Sequence, residues 1–330
     1  MKKRNLLIIG MLVMTLALTA CGNSAGTKAP ETTANGKVYK IGIVQLMEHV
    51  ALDDARMGFL NRLDELGIDY EVEYQNAQGD IGTARTISEK LVNDKVDLIY
   101  AIATQAAEAA VGTGTEIPIL FSAVTDPVTA HLVDSMEKPG ANVTGTSDAA
   151  DILHQLKIYK ELDPTIETIG VIYTSDEINS VVQVEEVKKL APEAGLKVEE
   201  VGIATISDLP QAAQSLVKKV DAMYIVSDNK IASSVSLLAD ILLENNMISI
   251  CAEESQVQGG ILLTNGIKYL DLGSQTGDMA KRILVDGENP GEMPVEKSNK
   301  IGTVVNKNTL EALGLDPNLE VLQGAEYVGE

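Results

Sequence analysis

Several polar side chains follow predicted strands in an order that could bind both ends of a zwitterion. Thr104 stands where a helix begins, and the free N–H groups and positive dipole end of a helix N-terminus suit a carboxylate. Ser122 and Thr125, after another strand, could add hydroxyl donors. The residues that could accept hydrogen bonds from an ammonium are Glu177, Asn179 and Asp228. Together these groups describe a site for an α-amino acid.

Each of these groups also has a purely structural interpretation. Thr104 could be a helix cap, and Asp228 with Asn229 could cap the helix that follows them. Asp126 precedes a proline and could belong to a turn. Glu177 could be a solvated acid in the first turn of a helix. Both interpretations stay open from the sequence alone.

Residue patterns that carry out catalysis are missing from the sequence. It contains neither a Gly-x-Ser-x-Gly elbow nor a Walker A loop. The histidines, His49, His131 and His154, lack the HExxH spacing of a zinc site. Glu48 and His49 are adjacent on a loop where neighbouring side chains point apart, which disfavours an acid–base pair. The sequence predicts a binding protein without cofactor or metal rather than an enzyme.

The excess of acidic residues argues against one class of partner. The 330 residues include 26 Lys and Arg against 48 Asp and Glu, a formal charge of −22. Such a surface repels phosphate backbones, so we expect no nucleic-acid binding. Apolar residues make up 45%, enough for packed cores in two ordinary domains. With no Trp in the chain, any aromatic platform must come from Tyr, His or the two Phe.

The N-terminus has the layout of a secretory signal. Three basic residues, an apolar stretch from Leu6 to Ala20 and then Cys21 fit residues 1–20 as a signal peptide, and a short membrane anchor is the alternative. The four residues ending at Cys21 resemble a bacterial lipobox, which predicts lipidation of Cys21. Residues 21–37 are predicted to form a flexible tether. Cys251 is then the only other thiol, and its apolar surroundings predict a core residue.

Beyond the tether, short apolar runs alternate with helical patterns. The predicted strands are Tyr39–Gln45, Tyr70–Gln75, Leu98–Ala103 and Ile119–Val124. The predicted helices are Ala51–Leu66, Ile81–Asn93 and Thr104–Val111. This alternation predicts an α/β fold with a parallel sheet covered by helices on both faces.

The pattern then repeats, which predicts two lobes of one design. Ile41–Val44 is echoed by Ile169–Ile172, Val96–Thr104 by Val220–Asp228, and Pro118–Ser122 by Met247–Cys251. Chance echoes between α/β segments are the alternative. Ligands of parallel sheets bind beyond the carboxyl ends of the strands, so two facing lobes would enclose a ligand in the cleft between them.

Several long motifs resemble one known family. They are Glu48–Asp53, Tyr74–Asp80, Ile102–Ala107, Ser122–Pro127, Asn142–Asp148, Tyr173–Ser180, Gly259–Gly277 and Val304–Asn306. In this order they resemble the ABC-transporter substrate-binding lipoproteins of the tryptophan-binding type, over Lys40 to Leu315. The resemblance implies a type I periplasmic-binding-protein fold, in which two doubly wound parallel-sheet lobes are joined by a hinge of three strands.

The resemblance also implies domain bounds and a site. Lobe 1 would be residues 38–146 plus 259–290 and lobe 2 residues 147–258 plus 291–330, with crossovers near Thr146, Gln258 and Pro290. The candidate ligand-binding residues are Glu48, His49, Thr104, Gln105, Ser122, Ala123, Thr125, Asp126, Ser175, Glu177, Asn179, Asp228, Asn229 and Asn265.

The function implied is capture of an amino acid outside the cytoplasm. The ligand would be aromatic (tyrosine, phenylalanine or tryptophan), and a monomeric, lipid-anchored protein would deliver it to a membrane permease driven by a separate ATPase. Three alternatives remain: a binder of another small solute such as a nucleoside, a surface adhesin or sensor on the same scaffold, and an exported enzyme.

Overall fold

Strands and helices alternate along residues 37–329, the part of the chain that the computed structural model describes. The strands are β1 (Tyr39–Gln45), β2 (Tyr70–Asn76), β3 (Leu98–Ile102), β4 (Ile119–Val124), β5 (Val143–Ser147), β6 (Thr168–Thr174), β7 (Lys197–Ile203), β8 (Ala222–Ile225), β9 (Ile248–Cys251), β10 (Leu263–Ile267), β11 (Glu296–Lys297), β12 (Ile301–Asn306) and β13 (Glu326–Val328). The predicted signal peptide, Cys21 and nearly all of the predicted tether lie outside these residues.

Eleven α-helices connect the strands within the described residues. They are α1 (Val50–Glu65), α2 (Ile81–Asn93), α3 (Thr104–Val111), α4 (Ile152–Leu162), α5 (Ile178–Leu190), α6 (Leu209–Leu216), α7 (Asn229–Ala232), α8 (Val235–Glu244), α9 (Glu254–Gln258), α10 (Tyr269–Leu284) and α11 (Lys307–Ala312). Across residues 37–329, none of the helices has the length and apolarity needed to cross a membrane.

The strands form two sheets of similar order, one in each lobe. The lobe 1 sheet runs β11-β5-β4-β3-β1-β2, and all its neighbours are parallel. The lobe 2 sheet runs β13-β12-β10-β9-β8-β6-β7, and only β12 pairs antiparallel, with β10. Reading each sheet from β2 or β7, the first five strands follow the same order. The predicted α/β fold of two parallel-sheet lobes is confirmed.

Burial explains why the central strands read as continuous apolar runs. Every residue of β3 and β4 is buried, because helices cover both faces of the sheet. The edge strands β2 and β7 are largely exposed or half-buried and carry charged side chains, which discourages pairing with another chain. In lobe 1, Phe59 of α1 stacks on Tyr100 of β3 with ring centroids 4.1 Å apart.

Two glycines let α1 and α10 pack closely in lobe 1. A Cβ on Gly58 would lie 2.0 Å from the carbonyl oxygen of Leu270, and one on Gly273 would lie 2.0 Å from that of Ala55. No side chain fits at such distances, so the backbones of the two helices are in direct contact. This contact fixes α1, which begins at the cleft.

The predicted bounds of the first elements agree closely with the structure. The bounds of β1, α2, α3 and β4 match, those of β2 and β3 differ by one residue at one end, and α1 is shifted by one residue at both ends. Ala103 was predicted to end β3. It instead precedes α3 with a φ of 83°, outside the strand conformation.

Three passages join the lobes, and two of them lie further along the chain than the sequence indicated. The first follows β5, near the predicted Thr146. The second lies at Lys268 rather than near Gln258, because Gly259 caps α9 and the chain then pairs as β10 with β9 in lobe 2. The third follows β11 rather than Pro290, because β11 pairs with β5 before the chain leaves lobe 1.

Candidate ligand-binding site

A small, largely buried cavity lies between the lobes at the carboxyl ends of their strands. Its lining residues are His49, Ala51, Ala123, Asp148, Asn179, Ser227, Asp228, Asn229, Ala232, Glu253, Gln256 and Tyr269. The free volume is about 10 Å³, room for about one water molecule. An amino acid therefore requires the lobes to separate and close again around it.

Glu177 organises the lobe 2 wall of the cavity. Its carboxylate accepts hydrogen bonds from the backbone N–H and Nδ2 of Asn229 (2.9 and 2.7 Å), from the backbone N–H of Lys230 (3.2 Å) and from Nδ2 of Asn179 (3.1 Å). Burial, and then the nearby charge of Asp228, raises the pKa of Glu177 to about 7. Glu177 thus holds two asparagines that line the cavity but is not itself a lining residue.

Asp228 has no oxygen left without a partner. Its Oδ2 accepts from the backbone N–H of Thr174 (2.6 Å), the hydroxyl of Thr174 (2.7 Å) and the hydroxyl of Ser180 (2.9 Å), and its Oδ1 accepts from the N–H of Ile231 (3.0 Å). Asp228 therefore caps α7 and ties β6 to α5. The capping role that the sequence left open for Asp228 is present.

His49 reaches across the cleft to lobe 2. Its Nε2 lies 3.2 Å from Oδ1 of Asn229, whose Nδ2 already donates to Glu177. Because an amide oxygen only accepts, Nε2 of His49 carries the proton in this contact. Burial is the main cause that lowers the pKa of His49, and Asn229, Asp53 and Asp228 oppose it. The neutral ring therefore presents Nδ1 as an acceptor.

Five of the lining residues present a buried polar atom without a hydrogen-bond partner among the described residues. The atoms are His49 Nδ1, Asp148 Oδ1, Asn179 Oδ1, Ser227 Oγ and Gln256 Oε1. Unpaired buried polar atoms are uncommon because each costs about 1–3 kcal/mol. Their concentration around one cavity marks it as the place where a polar ligand would supply the missing partners.

A second set of lining residues was missed from the sequence. Asp148, at the end of β5, accepts a 2.6 Å hydrogen bond from the hydroxyl of Tyr269, which begins α10. Glu253 caps α9 through the N–H and hydroxyl of Ser255, and burial raises the pKa of Glu253 to about 7. Ser227 and Gln256 complete the polar members of the set, and the small apolar residues Ala51 and Ala232 were missed as well. The available signals were their positions directly after strands or at helix starts.

Other predicted residues hold the lobes together. Gln105 donates from Nε2 to the carbonyl of Asp176 (2.9 Å), and Gln183 donates from Nε2 to the hydroxyl of Thr125 (3.1 Å). Both bonds join lobe 1 to lobe 2. With the His49–Asn229 contact they stabilise the closed arrangement.

The remaining predicted residues do not line the cavity. Asp126 caps a turn, accepting from the N–H groups of Val128 (3.1 Å) and Thr129 (3.0 Å). The hydroxyl of exposed Ser175 donates back to Ile203, and Nδ2 of Asn265 donates to Thr303 of β12. For Asp126, the turn interpretation left open by the sequence is present.

Three more predicted residues sit close to the cleft without entering the cavity wall. Ser122 is buried and accepts from the hydroxyl of Thr146 at 3.1 Å. Thr104 is buried at the start of α3, and its hydroxyl has no partner among the described residues. Glu48 is exposed and lines a surface groove that shares His49 with the cavity.

The strand ends of lobe 1 are strained where they meet the cleft. Ala103, after β3, has a φ of 83°, and Ala123, in β4, has a φ of 59°. Alanine rarely adopts positive φ, and such residues concentrate at functional sites. The β4–β5 pairing shifts register at the same place, between Phe121 and Val124. This irregularity places Ala123 in the cavity wall.

Two α/β lobes joined by three passages around a closed polar cavity define a type I periplasmic-binding-protein fold. A family model of ABC transporter substrate-binding proteins matches residues 40–328. A tyrosine-binding protein of Clostridioides difficile (strain R20291) is 41% identical over 318 residues, covering 94% of this chain and 92% of that protein. The chain belongs to the family of ABC transporter substrate-binding proteins.

Two solved structures show the same architecture. An ABC domain from Streptococcus pneumoniae in complex with L-Trp is 32% identical, with a TM-score of 0.83 over 88% of this chain and 100% of that one. The ligand-free, open form of a Clostridium difficile substrate-binding protein with adhesive properties is 43% identical, with a TM-score of 0.70 over 88% of this chain and 99% of that one. The better fit to the L-Trp complex, despite lower identity, agrees with the closed cleft described above.

Proposed function

We propose that this protein captures a free aromatic amino acid between its lobes and delivers it to a membrane permease. The observation that carries the proposal is the closed cavity with five unpaired polar atoms in its wall. Such a cavity fits a small polar ligand that is fully enclosed. The tyrosine-binding relative and the L-Trp complex support an aromatic amino acid as that ligand.

The lining supports this class of ligand in its apolar part as well. Ala51, Ala123 and Ala232 are the small apolar residues of the wall. Small side chains leave room for a flat ring once the lobes have opened and closed around it. The cavity wall contains no Lys or Arg among the described residues. The ligand's carboxylate would instead face backbone N–H groups.

Lobe 1 supplies candidates for carboxylate binding at two helix starts. Ala51 lies in the first turn of α1, where no side chain of residues 37–329 caps the free N–H groups. Thr104 begins α3 with its hydroxyl unpaired. Both helices direct the positive end of their dipole toward the carboxyl edge of the sheet, which favours an anion.

Capture and release follow from lobe movement. A ligand that contacts both lobes stabilises the closed form by its difference in affinity for the closed and open forms. The closed form would dock on the permease, while hydrolysis of ATP would occur in a separate subunit. The protein would act outside the cytoplasm as a monomer held to the membrane by lipid on Cys21, and it would carry out no catalysis.

Calorimetric titration of the purified protein with each of the twenty amino acids tests the ligand class. We expect tyrosine, tryptophan or phenylalanine to bind with a Kd below about 100 μM, a binding free energy of about 5.5 kcal/mol. Native mass spectrometry of the freshly purified protein would then show the mass of a retained aromatic amino acid. If none of the three binds in this range, the proposal is wrong.

A further inference from the structure

Three of the five unpaired atoms belong to residues that share neighbours, near the place where the chain first passes between the lobes; we call these three residues the cluster. Tyr269 lies beside two of them and Glu253 lies beside the third. Asp148 follows β5 of lobe 1, Ser227 follows β8 of lobe 2, and Gln256 lies on α9 of lobe 2. All three line the cavity, and Asp148 Oδ1, Ser227 Oγ and Gln256 Oε1 lack partners among residues 37–329. The cluster therefore draws on both lobes.

Two members of the cluster are held in fixed orientations by their other polar atoms. Asp148 accepts from the hydroxyl of Tyr269 through Oδ2, at 2.6 Å, which leaves Oδ1 free. Gln256 donates from Nε2 to the carbonyl of Val226 at 3.0 Å, which leaves its Oε1 free. Both side chains are almost fully buried, Asp148 with 4% and Gln256 with 1% of its surface exposed. Their free oxygens are thus preorganised acceptors.

The other acids around the cavity have their oxygens engaged. Asp228 accepts three hydrogen bonds through Oδ2 and one through Oδ1, and all four donors belong to lobe 2. Glu253 accepts from the N–H of Ser255 through one oxygen and from the hydroxyl of Ser255 through the other. Among the lining carboxylates of the described residues, Asp148 alone has an oxygen without a hydrogen-bond partner, and the side chain of Thr125 lies near this carboxylate.

Resting on the function proposed above, we propose that Asp148, Ser227 and Gln256 bind the α-ammonium group of the ligand. An ammonium has three N–H donors and no acceptor, and the cluster offers three free acceptor atoms, one of them on a carboxylate. Burial is the main cause that raises the pKa of Asp148, so its charged form is costly until a cation lies beside it. Binding the ammonium supplies that cation.

This assignment has a consequence for closure. The ammonium contacts Asp148 from lobe 1 together with Ser227 and Gln256 from lobe 2, so all three contacts form only when the lobes are closed. The amino group then stabilises the closed form more than the open one. Aromatic acids without it should bind weakly even though their rings and carboxylates are unchanged.

The test compares L-tyrosine and L-tryptophan with hydroxyphenylpropanoate and indolepropanoate, which lack only the amino group. The wild-type protein should prefer each amino acid by at least about 30-fold, the lower end of the cost of breaking a buried charge pair. Asp148→Asn keeps an oxygen for Tyr269 and should reduce amino-acid affinity by a similar factor, with less than about 3-fold effect on the propanoates. The same carboxylate removal at the exposed helix cap of α4, Asp151→Asn, should change neither.

A second variant keeps the proposal testable if Asp148→Asn does not fold. Ser227→Ala removes a hydroxyl that lies near the phenol of Tyr269 but has no hydrogen-bond partner among the described residues, so the thermal midpoint should change little, while amino-acid affinity should fall about 10-fold. If the wild type binds the amino acids but both variants lower all four affinities equally or not at all, the ammonium assignment is wrong and the proposed function stands. If the wild type binds neither amino acid, the proposed function fails and this assignment fails with it.

Discussion

Gln105 in lobe 1 donates a hydrogen bond from Nε2 to the backbone carbonyl of Asp176 in lobe 2, over a distance of 2.9 Å. The two residues are 71 positions apart in the sequence and belong to different lobes, so this bond breaks when the lobes separate. Contacts of this kind act on the same equilibrium as the ligand. They therefore contribute to affinity without contacting the bound molecule.

Gln105→Met keeps the length of the side chain and removes this donor. We expect the Kd for the preferred amino acid to rise about 2- to 10-fold, the value of one ordinary hydrogen bond. Small-angle scattering of the ligand-free variant should give a larger radius of gyration than the wild type. Gln211→Met, the same change on the exposed face of α6, is the control. An unchanged Kd and radius would show that this bond does not influence closure.

The pH dependence of stability should reflect two buried glutamates. The pKa values of Glu177 and Glu253 both rise from 4.5 to about 7, mainly through burial, with the charges of Asp228 and Asp148 adding to the respective shifts. The folded protein therefore holds more protons than the unfolded chain between pH 4.5 and about 7, and its free energy of unfolding should fall as the pH rises through this window.

Glu253→Gln tests this pH dependence, because it removes one of the two titrating groups and keeps an oxygen to cap α9. At pH 8 the variant should be more stable than the wild type by on the order of 3 kcal/mol, the equivalent of the shift from 4.5 to about 7. At pH 4 the two proteins should differ little. Urea denaturation of both proteins across this pH range measures the difference in free energy of unfolding. If this free energy changes with pH in the same way in the wild type and the variant, Glu253 is not the titrating group.

Asp228→Asn should act on folding rather than on recognition of the amino group. The carboxylate accepts four hydrogen bonds, and an amide in its place would point N–H groups at N–H and hydroxyl donors. We expect the free energy of unfolding to fall by about 2–4 kcal/mol. Affinities for tyrosine and for hydroxyphenylpropanoate should fall by the same factor. A selective loss of tyrosine binding at unchanged stability would return Asp228 to the role of ammonium partner.

Thr104→Val tests the start of α3 as a carboxylate site. Valine has the same shape and removes a buried hydroxyl that bonds to no described group, so stability should be unchanged or slightly higher. If the hydroxyl donates to the ligand's carboxylate, affinity should fall about 10-fold. Calorimetry and thermal unfolding of the same sample separate the two effects. Unchanged affinity would leave Thr104 with a structural role only.

Gly273→Ala should disrupt the contact between α1 and α10. Its new Cβ would lie 2.0 Å from the carbonyl oxygen of Ala55, and two packed backbones cannot move apart locally without cost. We expect a loss of about 1–3 kcal/mol in urea denaturation. Gly302→Ala is the matched control, since a Cβ there meets no atom within 4 Å. Equal effects of the two substitutions would mean that the helix contact adjusts freely.

The fold was predictable because it depends on local patterns. Buried parallel strands are continuous apolar runs, and the caps and glycines that end helices are local too, so the bounds of β1 and α2 could be predicted to the residue. The passages at Lys268 and after β11 could not, because strand pairing with β9 and β5 decides them, and pairing partners lie far away in sequence.

The site was only partly predictable for the same reason. The predicted residues that line the cavity are His49, Ala123, Asn179, Asp228 and Asn229. Sequence position could not show that Thr174 and Ser180 occupy the oxygens of Asp228, since that depends on how β6 and α5 pack. Nor could it show that Asp148 keeps a free oxygen. Which acid is satisfied and which is unpaired is decided by tertiary contacts.

The small volume of the closed cavity has a kinetic consequence. A molecule enclosed there has no exit while the lobes are together, so its dissociation rate cannot exceed the rate at which they part. Ligands of different affinity would then share one upper limit on their dissociation rates. The residence time of a strongly held ligand would be set by the protein's own opening, and the step that the permease must accelerate is the parting of the lobes.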